Sequence, residues 1–229
     1  MLGFTTNELD GVEMIFRELC DQDIEPDGLI FDKETVRSEP ITEDADYEGV
    51  RINLIGYLFK AKIPLQIDIG FEDVVTPAPI VLKYPTILPM PVPTLRGYAL
   101  ESVVAEKLQA LIFLGSINSR MKDFYDLWMM AEHFEFNGGQ LQKAIINTFK
   151  RRNTTLPKET IVGFGENFAS DNQTQWKAFL LRMRIDNMPE TFTDVIRLLR
   201  SFLMPILQAS ATEIIFRGEW NPGGPWKVE

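Results

Sequence analysis

The chain has one cysteine and one histidine among 229 residues. A single thiol forms no internal disulfide, and one His with one Cys is too small a donor set for a structural zinc site. A nucleophilic triad built on His133 is disfavoured as well, because that residue falls off the apolar stripe of its helix. No apolar run approaches the roughly 20 residues that cross a bilayer; the longest candidate is Ala110 to Gly115. The N-terminus shows no basic segment followed by an apolar one, so the reading expects no secretory leader and places the protein in the cytoplasm. Neither GxxxxGK[ST] nor GxGxxG occurs, and Gly163-Phe164-Gly165 is too short a pattern to mean anything alone. Net positive charge is lacking too: the formal balance is -10. That argues against broad nucleic-acid binding, while leaving room for a local basic pocket. The acids gather at Glu39 to Glu48 and at Glu72 and Asp73, as a solvated loop or as an edge that attracts a basic partner.

With 45% hydrophobic and 24% charged residues, the composition is that of a globular domain, or of two small ones. Thr5-Thr6-Asn7-Glu8 has the form of a capping box, and Leu9, Val12, Ile15, Phe16, Leu19 and Cys20 follow at helical spacing. Cys20 on that face reads as a buried, inert thiol. The helix is expected to stop near Asp21 to Asp23, before the turn signal Pro26-Asp27-Gly28. Strands are predicted at Leu29-Ile30-Phe31, Thr35 to Ser38, Val50 to Phe59, Ile63 to Phe71 and Ile80 to Lys83. Pro85, Pro89, Pro91 and Pro93 mark an extended linker and the best boundary in the chain. Beyond it the pattern is helical, over 100–114, 120–134, 140–152, 172–184 and 192–209. Asn137-Gly138-Gly139 reads as the C-cap of the second of these, and Pro205 as a kink or break in the last. The tail reads as irregular, with Trp220 and Trp226 anchoring it to the body. The fold class is α+β: a sheet with one flanking helix, then a helical bundle, with domains at 1–97 and 98–229.

Two helices place charges inside their own apolar stripes. At 100° per residue Leu100, Val103, Val104, Leu111 and Leu114 share a face with Lys107 near its centre. In the next helix Phe124, Leu127, Ala131 and Phe134 form the stripe, Asp123 falls within it, Asp126 lies at its rim and Tyr125 on the far side. A core-facing charge costs several kcal/mol unless it is paired or left in a polar cleft. The short loop 115–119 makes the helices neighbours, with Asp123 about one turn from the level of Lys107, within reach of a lysine. A structural ion pair and an ammonium awaiting a phosphate are both open on spacing alone. Arg120 and Lys122 open the second helix against its macrodipole, a weak hint of an anionic ligand, whereas Lys150-Arg151-Arg152 sits at a helix end that favours cations. In Ile67-Asp68-Ile69-Gly70-Phe71, Asp68 faces away from Ile67 and Ile69 near a strand end. Such a carboxylate is either a metal or general-base position or a plain exposed strand residue.

Pro64 to Phe71, Tyr98 to Lys107 and Ser119 to Trp128, in this order and spacing, resemble the AbiEii/AbiGii-toxin family of nucleotidyltransferases, as does the ending Pro222 to Trp226. The resemblance implies a DNA-polymerase-β-like nucleotidyltransferase sheet followed by a helical region. It implies toxins of bacterial toxin–antitoxin or phage-defence pairs that transfer a nucleotide from an NTP to an RNA acceptor such as tRNA, with Mg²⁺. By position Asp68 would be a catalytic sheet carboxylate beside the metal, Lys107 the contact to the NTP phosphates, and Asp123 the essential aspartate of the last motif. Lys122 and Asp126 would complete the nucleotide site, with Lys122 standing where the family often has arginine. The family's Gly-Ser…Asp-x-Asp, which supplies the principal Mg²⁺ ligands, has no counterpart ahead of the segment beginning Met1-Leu2-Gly3-Phe4. The expectation is therefore an incomplete sheet and an N-terminally truncated chain that binds metal poorly and is weak or inactive. The alternative is a non-catalytic module that binds nucleotide or a cognate antitoxin.

Overall fold

Burial sorts the chain into two units, 1–73 and 74–229, each with its own apolar cluster. The computed structural model describes residues 2–3 (backbone only), 7–24, 26–41, 49–71, 75–158, 161–185 and 187–228. Of the sequence expectations, the Thr5 and Thr6 part of the capping box and most of the acidic run Glu39 to Glu48 lie outside the described residues, as do Glu72 and Asp73.

Among the described residues the first unit is a mixed four-stranded sheet with one helix. Its strands are β1 (Leu2–Gly3), β2 (Leu29–Ile41), β3 (Gly49–Leu58) and β4 (Ala61–Phe71), in the order β1-β4-β3-β2. β2, β3 and β4 are antiparallel neighbours, while β1 runs parallel to β4 with Leu2 opposite Gly70. The alternation in β3 sends Val50, Ile52 and Leu54 inward, where Ile69, Phe71 and Val36 join them. Helix α1 (Leu9–Cys20) closes that face with Val12 and Phe16 and ends at Asp21 as the sequence implies. Cys20 is only partly buried against this cluster, and burial raises its thiol pKa, so it is a poor nucleophile. The two short strands expected at 29–31 and 35–38 are one strand whose register slips between Asp32 and Arg37. There the Thr35 hydroxyl accepts from Ile55 N at 2.9 Å and donates to Asp32 O at 2.6 Å, standing in for ladder bonds that the slip removes.

The second unit opens with a hairpin, β5 (Ile80–Lys83) and β6 (Thr94–Gly97), so the proline-rich stretch is the far end of a hairpin rather than a linker. Residues 74–97, grouped with the sheet by sequence, belong here with the helices. The helices are α2 (Leu100–Leu114), α3 (Met121–His133), α4 (Gly138–Arg151), α5 (Glu166–Asp171), α6 (Gln173–Met183) and α7 (Phe192–Ala211). Their core is aromatic: Phe124 meets Phe192 edge-on at 5.1 Å, and Trp176 stacks on Phe192 at 5.2 Å. Helix α7 passes through Pro205 unbroken. The carbonyl that loses its usual donor there belongs to exposed Ser201, where water can satisfy it.

Two sequence expectations are corrected at the C-terminal end of α3. Helix α3 stops at His133, and Phe134, assigned to its stripe, is exposed. Asn137 starts α4 instead, its side chain accepting from Gln140 N at 3.0 Å. The tail is a hairpin, β8 (Gly218–Trp220) and β9 (Trp226–Val228), paired to β7 (Phe136–Asn137). Its buried Trp220 Nε1 and its Gly223 N–H both donate to the Ala131 carbonyl, at 2.7 and 3.0 Å. The tail therefore supplies the cap that the glycines were expected to supply. Trp226 Nε1 donates to Phe202 O, so the tryptophans anchor the tail as expected.

Candidate nucleotide-binding site

Helix α2 is buried along Val104, Ala105, Leu108 and Leu111. The stripe is rotated from the one the sequence implies, and Lys107 lies on its flank with 20% of its side chain exposed. Helix α3 buries Phe124, Leu127, Trp128 and Ala131 against the same core. Tyr125 is not on a free face: its ring packs 5.8 Å from Phe179.

Asp123 is buried at 3% exposure in the first turn of α3, where the helix dipole favours a carboxylate. Its Oδ1 accepts from Lys107 Nζ at 3.0 Å, and Arg120 Nε approaches Oδ2 to 2.8 Å. The latter is a charge contact outside hydrogen-bond alignment: Oδ2, like the buried Asn118 Nδ2, has no aligned partner among the described residues. Lys107 also lies 2.6 Å from Asp126 Oδ2, which takes Lys122 Nζ at 2.7 Å. Burial by itself would lower the Lys107 pKa; the Asp126 and Asp123 carboxylates overcome it and hold the ammonium above the ordinary lysine value. Three cations thus share two carboxylates, leaving one positive charge in excess. Lys107 is largely enclosed, and the Arg120 and Lys122 side chains are 59% and 66% exposed. An enclosed ammonium held by two carboxylates, beside two exposed cations at a helix N-terminus, forms an arrangement that can bind an anion such as a phosphate.

Behind this cluster the buried Gln109 donates to Thr154 Oγ1 at 2.7 Å and accepts from Arg152 at 3.0 Å. Arg152 also lies 4.0 Å from Glu106, the neighbour of Lys107. Arg152 thus ties α4 to α2 instead of merely ending a helix. Gln109 lies off the stripe that periodicity implies, and no sequence signal pointed to it or to its partners.

Asp68 belongs to the first unit, on the outward face of β4, three residues before the strand ends. Arg51 on β3 stands directly opposite and grips it at both oxygens, Nε to Oδ1 at 2.8 Å and a terminal nitrogen to Oδ2 at 3.1 Å. Gln66 Nε2 adds contacts of 3.2 and 3.3 Å. The Arg51 guanidinium holds the Asp68 carboxyl below the usual aspartate pKa. Among the described residues no group of three or more His, Cys, Asp or Glu is placed to hold a metal ion. Among the described residues, the groups set against Asp68 are a guanidinium and an amide nitrogen, where Mg²⁺ takes oxygen ligands.

The model of the family described as nucleotidyl transferase AbiEii toxin, of a type IV toxin–antitoxin system, matches residues 1–198. The chain belongs to the AbiEii nucleotidyltransferase toxin family. Two Helicobacter pylori structures are similar to this AbiEii-family chain. JHP933 is 18% identical, with 83% of this chain and 68% of that one covered and a TM-score of 0.40. A candidate nucleotidyltransferase is 17% identical, with 82% and 69% covered and a TM-score of 0.37. No curated protein matches the chain. Among the described residues no helix is long and apolar enough to cross a membrane.

Proposed function

We propose that this AbiEii-family chain binds an NTP by its phosphates at Lys107, with Arg120 and Lys122 meeting the outer oxygens. Nucleotidyl transfer to an RNA acceptor such as tRNA is then the activity of the toxin. One observation supports the reading best: the Lys107 ammonium is held between Asp123 and Asp126 in a cluster with one cation in excess. An excess cation at a helix N-terminus is matched to an incoming anion. In this role Asp123 and Asp126 orient the ammonium and keep it protonated, and the exposed Arg120 and Lys122 heads swing to the triphosphate.

A second reading is favoured by the grip of Arg51 on Asp68. With that carboxylate engaged, the chain binds a nucleotide or its cognate antitoxin and transfers nothing. Titration calorimetry with ATP, GTP, CTP and UTP tests the binding. At least one is expected to bind, with about tenfold loss in Arg120→Ala or Lys122→Ala, whose exposed side chains can be removed without unfolding the chain. Binding that ignores all three substitutions, Lys107→Ala included, defeats the phosphate assignment. Labelled NTP added to an RNA pool then separates the two readings: incorporation supports transferase activity, and binding without incorporation supports the module.

A further inference from the structure

Every residue from 80 to 96 is exposed, and nine of them are large and apolar. Val81, Tyr84, Leu88, Val92 and Leu95 are half to three-quarters open, and Ile87 is completely so. The strands that carry them pair only with each other among the described residues, so both edges of the hairpin are open. Gly97 admits the Leu82 side chain, which a Cβ there would meet at 2.4 Å, so the hairpin base is specifically packed. A two-stranded hairpin with nothing against its faces is at best marginal in water. An apolar surface this large on a chain that remains monomeric would be unusual.

We propose that Ile80–Gly97 is a dimerisation arm and that a second copy of this chain covers it. Area is the first argument. The nine side chains offer on the order of 1,000 Å², more than the roughly 800 Å² per partner of a standard interface, and reciprocal arms would bury about twice that. Charge is the second. The arm carries Lys83 and Arg96 and no acid, whereas the chain as a whole is at -10. A cationic arm is drawn to an acidic body, and a two-fold contact lets each copy supply both. This inference stands independently of the nucleotide reading.

Light scattering coupled to size exclusion, on the full chain at micromolar concentrations, tests it. Wild type is expected at twice the chain mass. Val81→Asp/Ile87→Asp is expected at the chain mass, with circular dichroism and tryptophan emission unchanged because both side chains are exposed. Lys83→Glu/Arg96→Glu is expected to raise the dimer dissociation constant about tenfold at low salt. Hydrogen exchange on wild type gives a measurement free of substitutions: amides of 80–97 gain protection as concentration rises. A wild type that stays monomeric, or a dimer untouched by Val81→Asp/Ile87→Asp, overturns the proposal. Co-flotation of monomeric wild type with phosphatidylglycerol vesicles does so too, in favour of a lipid surface.

Discussion

At the scale of single residues, Lys107 is the position where two carboxylates of α3 converge. Its ammonium neutralises Asp123, which is almost fully buried, and Asp126, which is partly so. Lys107→Ala leaves Asp123 with the unaligned contact from Arg120 and leaves Asp126 with the exposed Lys122. Removing one partner of a buried pair costs about 3–5 kcal/mol. Because Arg120 stays and the site is half open, a loss near about 3 kcal/mol is expected in urea unfolding followed by tryptophan emission. The sign of the Lys107 shift sets the pH window. Its pKa is raised from 10.5, so its contribution is whole below that value and is lost only as pH rises through the higher folded value. The destabilisation by Lys107→Ala should therefore be constant across neutral pH and fade in strong alkali. A loss that already fades near neutrality defeats the assignment. Asp68 teaches the opposite lesson about legibility. Alternation placed it on the outward face correctly, but sequence could not show that Arg51 stands opposite, since register sets cross-strand neighbours.

At the scale of elements, the helices were largely legible because their signal is local. The ranges 100–114 and 120–134 meet α2 and α3 at 100–114 and 121–133. β6 and the tail strands were not legible: runs of three or four residues carry too little pattern and owe their form to their partners. Gly138 shows how tertiary packing reassigns a local signal. It reads as a helix stop, yet it sits in the first turn of α4, where an added Cβ would meet the Phe216 ring at 2.4 Å and the Gly218 carbonyl at 2.9 Å. Gly138→Ala improves helix propensity by up to ~1 kcal/mol but forces the tail hairpin away. A net loss of about 1–3 kcal/mol is expected in thermal unfolding. Unchanged or higher stability would show that Phe216 yields without cost.

At the scale of the whole molecule, two clusters imply two units that can be perturbed separately. All four tryptophans, Trp128, Trp176, Trp220 and Trp226, lie in the second, so the sheet unit has no indole of its own. In the first, Glu13 takes hydrogen bonds from Arg17 and from Ser38 N at 2.9 Å. Arg17 lowers its pKa from 4.5, and Arg51 lowers that of Asp68 from 3.8. Carboxylates with lowered pKa contribute stability that is whole above these reference values and is lost as pH falls through the folded ones. Comparing urea unfolding of the sheet at about pH 5 and about pH 3, by far-ultraviolet dichroism, should show that loss, and Glu13→Gln should reduce it. An identical pH dependence in Glu13→Gln would rule the Glu13 contacts out as its source.

By itself the sequence determined the fold class, the six longest helices, the outward placement of Asp68 and the likeness in Lys107, Asp123 and their flanking motifs. All of these depend on the period of an apolar pattern or on the order of residue types along the chain, which folding cannot alter. Only the tertiary structure decided which charges meet: Asp126 with Lys107, Arg120 with Asp123, Arg152 with Glu106 and Arg51 with Asp68. It also decided that the tail caps α3 and that the proline-rich hairpin stands exposed. Pairings between distant residues depend on register and packing, and these exist only once the elements are assembled.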